Sequence, residues 1–306
     1  MIIESWLNEK SSNEDRGFVF SLYTIINLTV ITLGQLMLMT ASAKNFPLFS
    51  VASILISLSA VPLALTRASV PAPIQATHFD PRSLYRTSPV GVIGCLAVGL
   101  TNGSFWSLSP LFVQSNGGAG DEVAVFMSVT VIGGALGQWP LGRLSDRVDR
   151  RRVIQLAAGG AFAAGLALAW LSGNAPGFVL AGAVVYGVFA FPLYAVSVAH
   201  TNDFVAPEGY VEAASGLLLV YAIGAVVGPL LASALILYFG AWSLFLFTAT
   251  IHAMLVLYVV QRMPKRARPE EEDRIAFSDA LIVSSTTSMV DPLPPETIEE
   301  SGGRAD

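Results

Sequence analysis

Apolar residues follow one another along this chain in long stretches that contain no Asp, Glu, Lys or Arg. Four such stretches have 20 to 34 residues, while Val153–Asn202 and Ala213–Gln261 have 50 and 49. A transmembrane helix needs about 20 residues at about 1.5 Å each, so each of the two longest stretches must hold two helices. Turn-forming residues at 172–177 and 239–242 mark the breaks. The pattern therefore predicts eight transmembrane helices, at 17–41, 46–66, 89–114, 123–142, 152–171, 177–200, 213–237 and 241–262.

The composition is that of a membrane protein. Apolar residues make up 53% of the 306 residues and charged residues only 13%, whereas soluble domains carry about 25% charged residues. The mean hydropathy is +0.62. The single cysteine excludes an intrachain disulfide, and the three histidines lack the spacing of a metal site. We expect an all-α polytopic membrane protein with no metal site and no cofactor.

Lys and Arg are distributed unequally between the two sets of alternating connections. The set that includes both termini holds 16 of the 17 Lys and Arg when Arg262, at the end of the last span, is counted with it, and the other set holds only Lys44. Basic residues concentrate in cytoplasmic loops, so both termini are predicted to be cytoplasmic. Residues 263–306 carry 10 acidic and 5 basic side chains, which account for the whole net charge of −5. We expect a disordered cytoplasmic tail and no nucleic-acid partner.

The sequence contains no glycine-rich phosphate loop, no dinucleotide-binding fingerprint and no hydrolase elbow, which disfavours an enzyme. Glycines spaced by four, at Gly133 and Gly137 and at Gly224 and Gly228, allow helices to approach each other closely. Such helices suit a protein that changes shape, although stable bundles contain them as well. Prolines that can kink a helix fall inside four predicted spans, at Pro62, Pro110, Pro192 and Pro229.

The most informative segment, Gly142–Arg152, fills the tight turn between the fourth and fifth predicted helices and is rich in Arg and Asp. It resembles the signature loop of the major facilitator superfamily, Gly-x-Leu-Ala-Asp-Arg-x-Gly-Arg-Arg/Lys. The chain departs from that motif at Asp149, which replaces the second Gly. The matching residues are Gly142, Leu144, Asp146, Arg147, Arg150 and Arg151.

This resemblance implies the twelve-helix fold of the superfamily, whose two six-helix halves each carry the signature after their second helix. The eight predicted helices then match helices 5–12. Segments at 6–17 and 194–203 are similar to a branch of poorly characterised bacterial members. The implied parts are a cytoplasmic remnant with the end of a missing helix at 1–16, the last two helices of the N-terminal half at 17–66, a cytoplasmic linker between the halves at 67–88, a six-helix C-terminal half at 89–262 and the tail at 263–306.

The resemblance further implies secondary active transport of a small solute by alternating access across the plasma (inner) membrane, with proton-coupled efflux as one form. Because the chain matches eight of the twelve helices, we expect an incomplete transporter that requires a missing N-terminal segment or self-association. The helices 17–66 should then pack against the six-helix half. The alternative is a membrane scaffold or sensor that binds without moving a solute.

The resemblance implies a gating role for the signature residues, with Gly142 and Arg151 part of the set. Asp146 would cap the N-terminus of a helix in the other half, where a carboxylate accepts exposed N–H groups. The target would be the helix that begins near Gly17, so that Asp146 lies close to residues 13–18. Arg147 and Arg150 would hold Asp146 and pair with Asp203. A solvated carboxylate and arginines that only anchor the topology are the alternatives.

The candidates for proton transfer and for solute binding form a second set of residues. His200 and Asp203, near the inner face, are candidates for a proton relay, and an interfacial ion pair is the alternative. The family comparison implies that polar and aromatic side chains on two helices line the central cavity, although packing between helices explains them equally well. The cavity candidates are Asn102, Trp106, Ser109, Tyr186 and Tyr194.

Overall fold

The computed structural model describes residues 26–27, 29–34, 36–37, 46–65, 81–118, 120–205 and 209–265. All regular secondary structure in this part of the chain is helical. Short 3₁₀ turns occupy Pro176–Phe178 and Met263–Lys265. Residues described between 26 and 37 are helical. The helices with defined bounds are α1 (Phe46–Leu65), α2 (Pro81–Thr87), α3 (Pro89–Ser115), α4 (Gly120–Arg147), α5 (Arg150–Asn174), α6 (Val179–Ala190), α7 (Leu193–Asn202), α8 (Tyr210–Phe239) and α9 (Ser243–Arg262).

Six segments of the described chain are long and apolar enough to cross a membrane: α3, α4, α5, α6 with α7, α8 and α9. They form one bundle in which α3 packs against α8, α9 and α7, α4 packs against α6, and α5 packs against α9 and α6. One part of the core is aromatic, around Phe105, Phe126 and Phe245, and another part is built from small aliphatic side chains such as Val98 and Ile154. The predicted all-α polytopic membrane fold is confirmed.

Two predicted breaks between spans lie where turn residues placed them. α5 ends at Asn174 and the 3₁₀ turn that follows begins at Pro176. α8 ends at Phe239 and is followed by Gly240, whose φ of +90° lies in the left-handed region that favours glycine. Local chemistry alone therefore locates both turns.

The predicted helix at 177–200 is not continuous. Phe191 and Pro192 separate α6 from α7. Proline lacks an N–H, and its ring crowds the carbonyl group one turn earlier, so a helix breaks or bends there. The prediction of a kink site at Pro192 is confirmed, and the predicted span consists of two helical segments.

The signature segment is mostly helix, and the prediction of a loop was wrong for Gly142–Arg147. α4 continues to Arg147 and α5 begins at Arg150, so that only Val148 and Asp149 connect the two helices. The apolar pattern stops at Gly142 because charged side chains begin there. At the end of a span these side chains reach water, so the helical backbone continues beyond the apolar stretch.

Glycines bring two pairs of helices into backbone contact. A Cβ atom on Gly228 of α8 would overlap the carbonyl oxygen of Leu100 in α3. A Cβ atom on Gly137 of α4 would likewise overlap the carbonyl oxygen of Val188 in α6. The close approach predicted from the glycine spacing is confirmed. The same contact recurs four residues earlier, at Gly224 with Leu96 and at Gly133 with Val184.

α1, which corresponds to the predicted span 46–66, is exposed along nearly its whole length. Phe46 is 81% exposed and Leu65 is 78% exposed. The expected packing of α1 against the six-helix bundle is therefore not observed. The predicted span 17–41 is helical where it is described, between 26 and 37. Predictions for 1–16, 66–80 and 266–306 lie outside the described residues.

Basic side chains of the described bundle all lie at one end, which we call the charged end. The acidic residues Asp121 and Glu122 begin α4 at the opposite end. α2, within the predicted linker 67–88, packs at the charged end. There the Tyr85 hydroxyl lies 3.0 Å from that of Tyr258, and Arg262 donates to Tyr85 at 3.2 Å.

Candidate functional site

The connection between α4 and α5 is organised by Asp149, the residue that departs from the family motif. Its Oδ1 accepts a hydrogen bond from the backbone N–H of Arg151 at 3.0 Å and so caps α5. Its Oδ2 lies 2.7 Å from Nη2 of Arg151, whose Nη1 donates to the carbonyl oxygen of Met263 at 3.3 Å. Asp149 thus connects the start of α5 to the end of α9 through the side chain of Arg151.

The protonation of Asp149 is controlled by the same arginine. Burial raises the pKa of the Asp149 carboxyl, but hydrogen bonds from the side chain and backbone N–H of Arg151, together with the positive charge of Arg151, lower it. The balance leaves the pKa of Asp149 below its ordinary value. The carboxyl is therefore ionised at neutral pH.

Arg150 joins three elements at the charged end. Its Nη2 lies 3.5 Å from Oδ1 of Asp146, near the end of α4, and its Nε lies 3.4 Å from Oδ2 of Asp203, just after α7. The side chains of Arg150 and Asp203 are 1% and 3% exposed, whereas that of Asp146 is 38% exposed. The predicted pairing of Arg150 with both aspartates is confirmed.

Arg147 behaves differently from Arg150. Its side chain is exposed, and it makes no ion pair with any residue that the structure describes. The predicted pairing of Arg147 with these aspartates was wrong, because Arg147, one position along α4 from Asp146, projects away from the bundle. Residues 13–18, the predicted target of Asp146, lie outside the described residues, so the capping of that helix stays a prediction.

His200 and Asp203 both lie at the charged end and are buried. Asp203 is the ion-pair partner of Arg150, and the ring of His200 meets that of Phe204 edge-on at 5.1 Å between centroids. A relay of protons through these two residues remains a prediction. Nearby, Thr201 donates to Ser88 at 3.2 Å and links α7 to the cap of α3.

Three of the five cavity candidates belong to one cluster, which we call the aromatic–amide face: Asn102, Trp106, Phe191, Tyr194 and Tyr221. The rings of Trp106 and Phe191 stack at 5.9 Å, with Trp106 36% exposed. The rings of Tyr194 and Tyr221 meet at 5.1 Å, and the amide of Asn102 lies near Tyr221. The face surrounds the break between α6 and α7.

The sequence did not single out Phe191 or Tyr221. Phe191 carries a usable signal, since it directly precedes the proline that breaks the helix. Tyr221 has no such signal, because only the packing of α8 on α3 places it beside Asn102. Aromatic residues are too common in membrane spans to be selected without that neighbour.

The two other cavity candidates lie in the core of the bundle. The ring of Tyr186 is fully buried, 6.0 Å from that of Phe105 and 5.5 Å from that of Phe245. Ser109 is also fully buried. The geometry of Tyr186 and Ser109 corresponds to packing between helices, which was the alternative explanation, and their part in solute binding stays untested.

His252, in the middle of α9, is a further chemically distinctive residue. It is fully buried, and its ring lies edge-on to that of Tyr186 at 6.1 Å. An ionisable side chain inside a membrane span is a functional candidate by default. The signal was available, because His252 interrupts an otherwise apolar stretch. Within the described residues no group of three or more His, Cys, Asp or Glu could hold a metal ion.

Comparison with known proteins agrees with this architecture. The sequence profile of the Major Facilitator Superfamily matches residues 2–217 and 91–291. The uncharacterized MFS-type transporter YcaD of Salmonella typhi is 28% identical over 272 residues, which are 88% of this chain and 70% of that protein. The protein of the same name from Escherichia fergusonii is 26% identical over 271 residues, with the same shares covered. The resemblance inferred from the signature segment is confirmed: the chain belongs to the major facilitator superfamily of multi-pass membrane transporters, and it is a transporter of a solute rather than an enzyme.

Proposed function

We propose that the chain carries out secondary active transport of a small polar or aromatic solute by alternating access, and that the solute binds at the aromatic–amide face. The observation that supports this proposal is the face itself. Trp106 and Phe191 offer stacked rings at its surface. Within the described residues, the amide oxygen of Asn102 and the hydroxyl of Tyr194 make no hydrogen bond.

These unsatisfied groups favour a binding role. A polar group buried in apolar surroundings costs about 1–3 kcal/mol when it lacks a hydrogen bond. A solute that supplies the missing donors and acceptors recovers this free energy, while its apolar part stacks on the rings. The break at Phe191 and Pro192 adds a point at which α6 and α7 can change their relative angle.

The charged end is the proposed gate. Arg150 holds Asp146 and Asp203 together, and Asp146 is exposed enough to reach a helix outside the bundle. A carboxylate at a helix N-terminus contributes roughly 0.5–2 kcal/mol. This changes a two-state equilibrium by roughly 2- to 30-fold. Asp146→Asn is expected to shift the balance of inward and outward states without preventing membrane insertion.

Accessibility to a membrane-impermeant maleimide tests alternating access. Cys95, which is buried, is first replaced by Ser, and Ser107→Cys then places a thiol beside Trp106 on the exposed side of α3. We expect labelling of this thiol from either side of oriented vesicles, and protection by a solute that drives counterflow. Leu166→Cys, an exposed position in the middle of α5, is the control and should stay unlabelled. Labelling from one side only under all conditions contradicts the proposal.

Liposome flux distinguishes transport from a scaffold or sensor. Purified wild-type protein and the Trp106→Ala variant are reconstituted into separate liposomes. Counterflow of radiolabelled aromatic and polar solutes is then compared between the two. Saturable flux that the variant reduces supports transport. Saturable binding without flux, under every gradient applied, favours the sensor.

The number of chains needed for transport is a separate proposal. We propose that the six-helix bundle works opposite a second half, supplied by further N-terminal residues or by a second copy. If two copies are required, flux per molecule falls as the protein-to-lipid ratio is lowered. Constant flux per molecule from a monodisperse monomer contradicts self-association.

Orientation and coupling complete the proposal. The charged end is proposed to face the cytoplasm, since basic residues favour that side, and both termini are proposed to lie there in the plasma (inner) membrane. A reporter fused after Asp306 should behave as cytoplasmic, and one inserted at Gly117 should not. We also propose that protons move through His200 and Asp203. In that case solute flux should change the pH inside the liposomes, which the fluorescence of enclosed pyranine measures.

A further inference from the structure

A pocket of about 220 Å³ opens at the charged end, apart from the aromatic–amide face. It lies where α2, the start of α3, the start of α5 and the ends of α7 and α9 meet. Most of the side chains around it are basic, polar or aromatic. The lining residues are Arg86, Ser88, Pro89, Val90, Arg151, His200, Phe204 and Arg262.

The charge around the pocket is not neutralised by its lining. Three guanidinium groups and an imidazole face it, and no Asp or Glu lines it. Arg86 makes no hydrogen bond or ion pair with any described residue, and Arg262 bonds only to the hydroxyls of Tyr85 and Tyr258. Of the three guanidinium groups, that of Arg151 alone has a carboxylate partner within the described residues, Asp149. The pocket is therefore electropositive.

Other groups add to its suitability for an anion. The pocket includes the first residues of α3, a helix of 27 residues whose N-terminus carries a partial positive charge. The hydroxyl of Ser88, which caps α3, also lies in the lining. Guanidinium groups bind phosphate oxygens through paired N–H donors and remain charged at every physiological pH.

We propose that this pocket binds a phosphate group, either a free phosphate or the phosphate of an anionic lipid headgroup, between Arg86, Arg151 and Arg262. The volume is large enough for a phosphate group and several water molecules. A bound phosphate would bridge α2, which precedes the bundle, to the first turn of α5 and the end of α9. Because Arg151 belongs to the signature segment, occupancy would stiffen the connection between α4 and α5. This proposal does not depend on the nature of the transported solute.

Binding to the purified full chain tests the proposal with two probes. The first is inorganic phosphate, added to protein in neutral detergent at constant ionic strength with chloride as the reference anion. The second is phosphatidylglycerol, introduced into nanodiscs of phosphatidylcholine. The readouts are the unfolding midpoint and the affinity. Stabilisation by phosphate identifies a soluble anion, and stabilisation only in phosphatidylglycerol nanodiscs identifies a lipid headgroup.

Matched arginine variants make the test specific. Arg86→Gln removes a guanidinium from the pocket, and Arg152→Gln removes one that is exposed at the same end and outside the lining. We expect Arg86→Gln to weaken binding of the active probe roughly tenfold or more, because charge-assisted hydrogen bonds are lost. Arg152→Gln should leave the affinity within about twofold, since an exposed charge outside the pocket contributes little.

Two results overturn the proposal. In the first, neither phosphate nor phosphatidylglycerol stabilises the wild-type chain beyond its reference. In the second, Arg86→Gln and Arg152→Gln weaken binding equally, which indicates general attraction to a basic surface. Arg86 makes no hydrogen bond or ion pair within the described residues, so its replacement should not disturb folding. The wild-type and Arg86→Gln unfolding midpoints without either probe verify this directly.

Discussion

The Nε atom of Arg150 lies 3.4 Å from Oδ2 of Asp203, and both side chains are almost completely buried. The pair joins the first residue of α5 to the residue that follows α7. Removing one partner of a buried ion pair leaves the other charge without compensation, which costs about 3–5 kcal/mol. Asp146, the second partner of Arg150, is 38% exposed and is screened by water.

The two aspartates are therefore expected to differ sharply in their contribution to stability. Asp203→Asn should lower the free energy of unfolding by about 3–5 kcal/mol, and Asp146→Asn by less than about 1 kcal/mol. Denaturant unfolding of both variants in the same detergent measures the difference. Equal losses would show that Arg150 does not depend on Asp203.

Asp149 should make stability depend on pH in the acid range. Its pKa is lowered in the folded protein, whereas an unfolded Asp titrates near about 3.9. The stabilisation is thus complete above about pH 4 and is lost as the pH falls through the lowered folded value. We expect the unfolding midpoint of Asp149→Asn to depend less on pH below about pH 4 than that of the wild-type chain. An unchanged acid profile in this variant would contradict the role of the Arg151 pair.

Asp149→Ala separates the cap from the ion pair. Asn retains an oxygen that accepts the N–H of Arg151, whereas Ala loses both the cap and the pair. At neutral pH, Asp149→Ala should therefore be less stable than Asp149→Asn by roughly 0.5–2 kcal/mol. Thermal unfolding of the two variants side by side provides the measurement.

Gly137→Ala should weaken the contact between α4 and α6. The new Cβ atom would overlap the carbonyl oxygen of Val188, so the helices must separate at a cost of roughly 1–3 kcal/mol. Gly159→Ala in α5 is the matched control, because no atom of another helix lies within 4 Å of its Cβ position. It should stabilise the protein by up to about 1 kcal/mol. Similar effects of the two substitutions on the unfolding midpoint would rule out the close contact.

Two tyrosines test where the solute binds. Tyr194→Phe removes a hydroxyl from the aromatic–amide face and should raise the solute concentration at half-maximal flux severalfold, since one hydrogen bond is worth about 0.5–1.5 kcal/mol. Tyr186→Phe removes a hydroxyl from the core and should leave that concentration unchanged. Counterflow in liposomes compares them. A larger effect of Tyr186→Phe would move the binding site toward the core.

Most features that depend on neighbouring residues in the chain were predictable. The uninterrupted apolar stretches indicated the spans, the turn residues near Pro176 and Gly240 located two connections, and the pattern around Asp146 identified the family. Each of these signals is local, because hydropathy and turn propensity belong to short segments. The same local logic failed at Gly142–Arg147, where polarity suggested a loop although helix formation continues past the apolar boundary.

Only the tertiary structure decided which side chains meet. In that structure Arg150 pairs with Asp203, and the ring of Tyr186 lies in the core. Tyr221 contacts Tyr194 on the aromatic–amide face. The rotation of each helix about its axis determines these contacts. That rotation is set by backbone contacts between helices, such as those at Gly137 and Gly228. Sequence alone determined that this chain spans a membrane and where turn residues separate its longest apolar stretches. Packing between distant helices determined the site, because a side chain's neighbours depend on every helix that surrounds it.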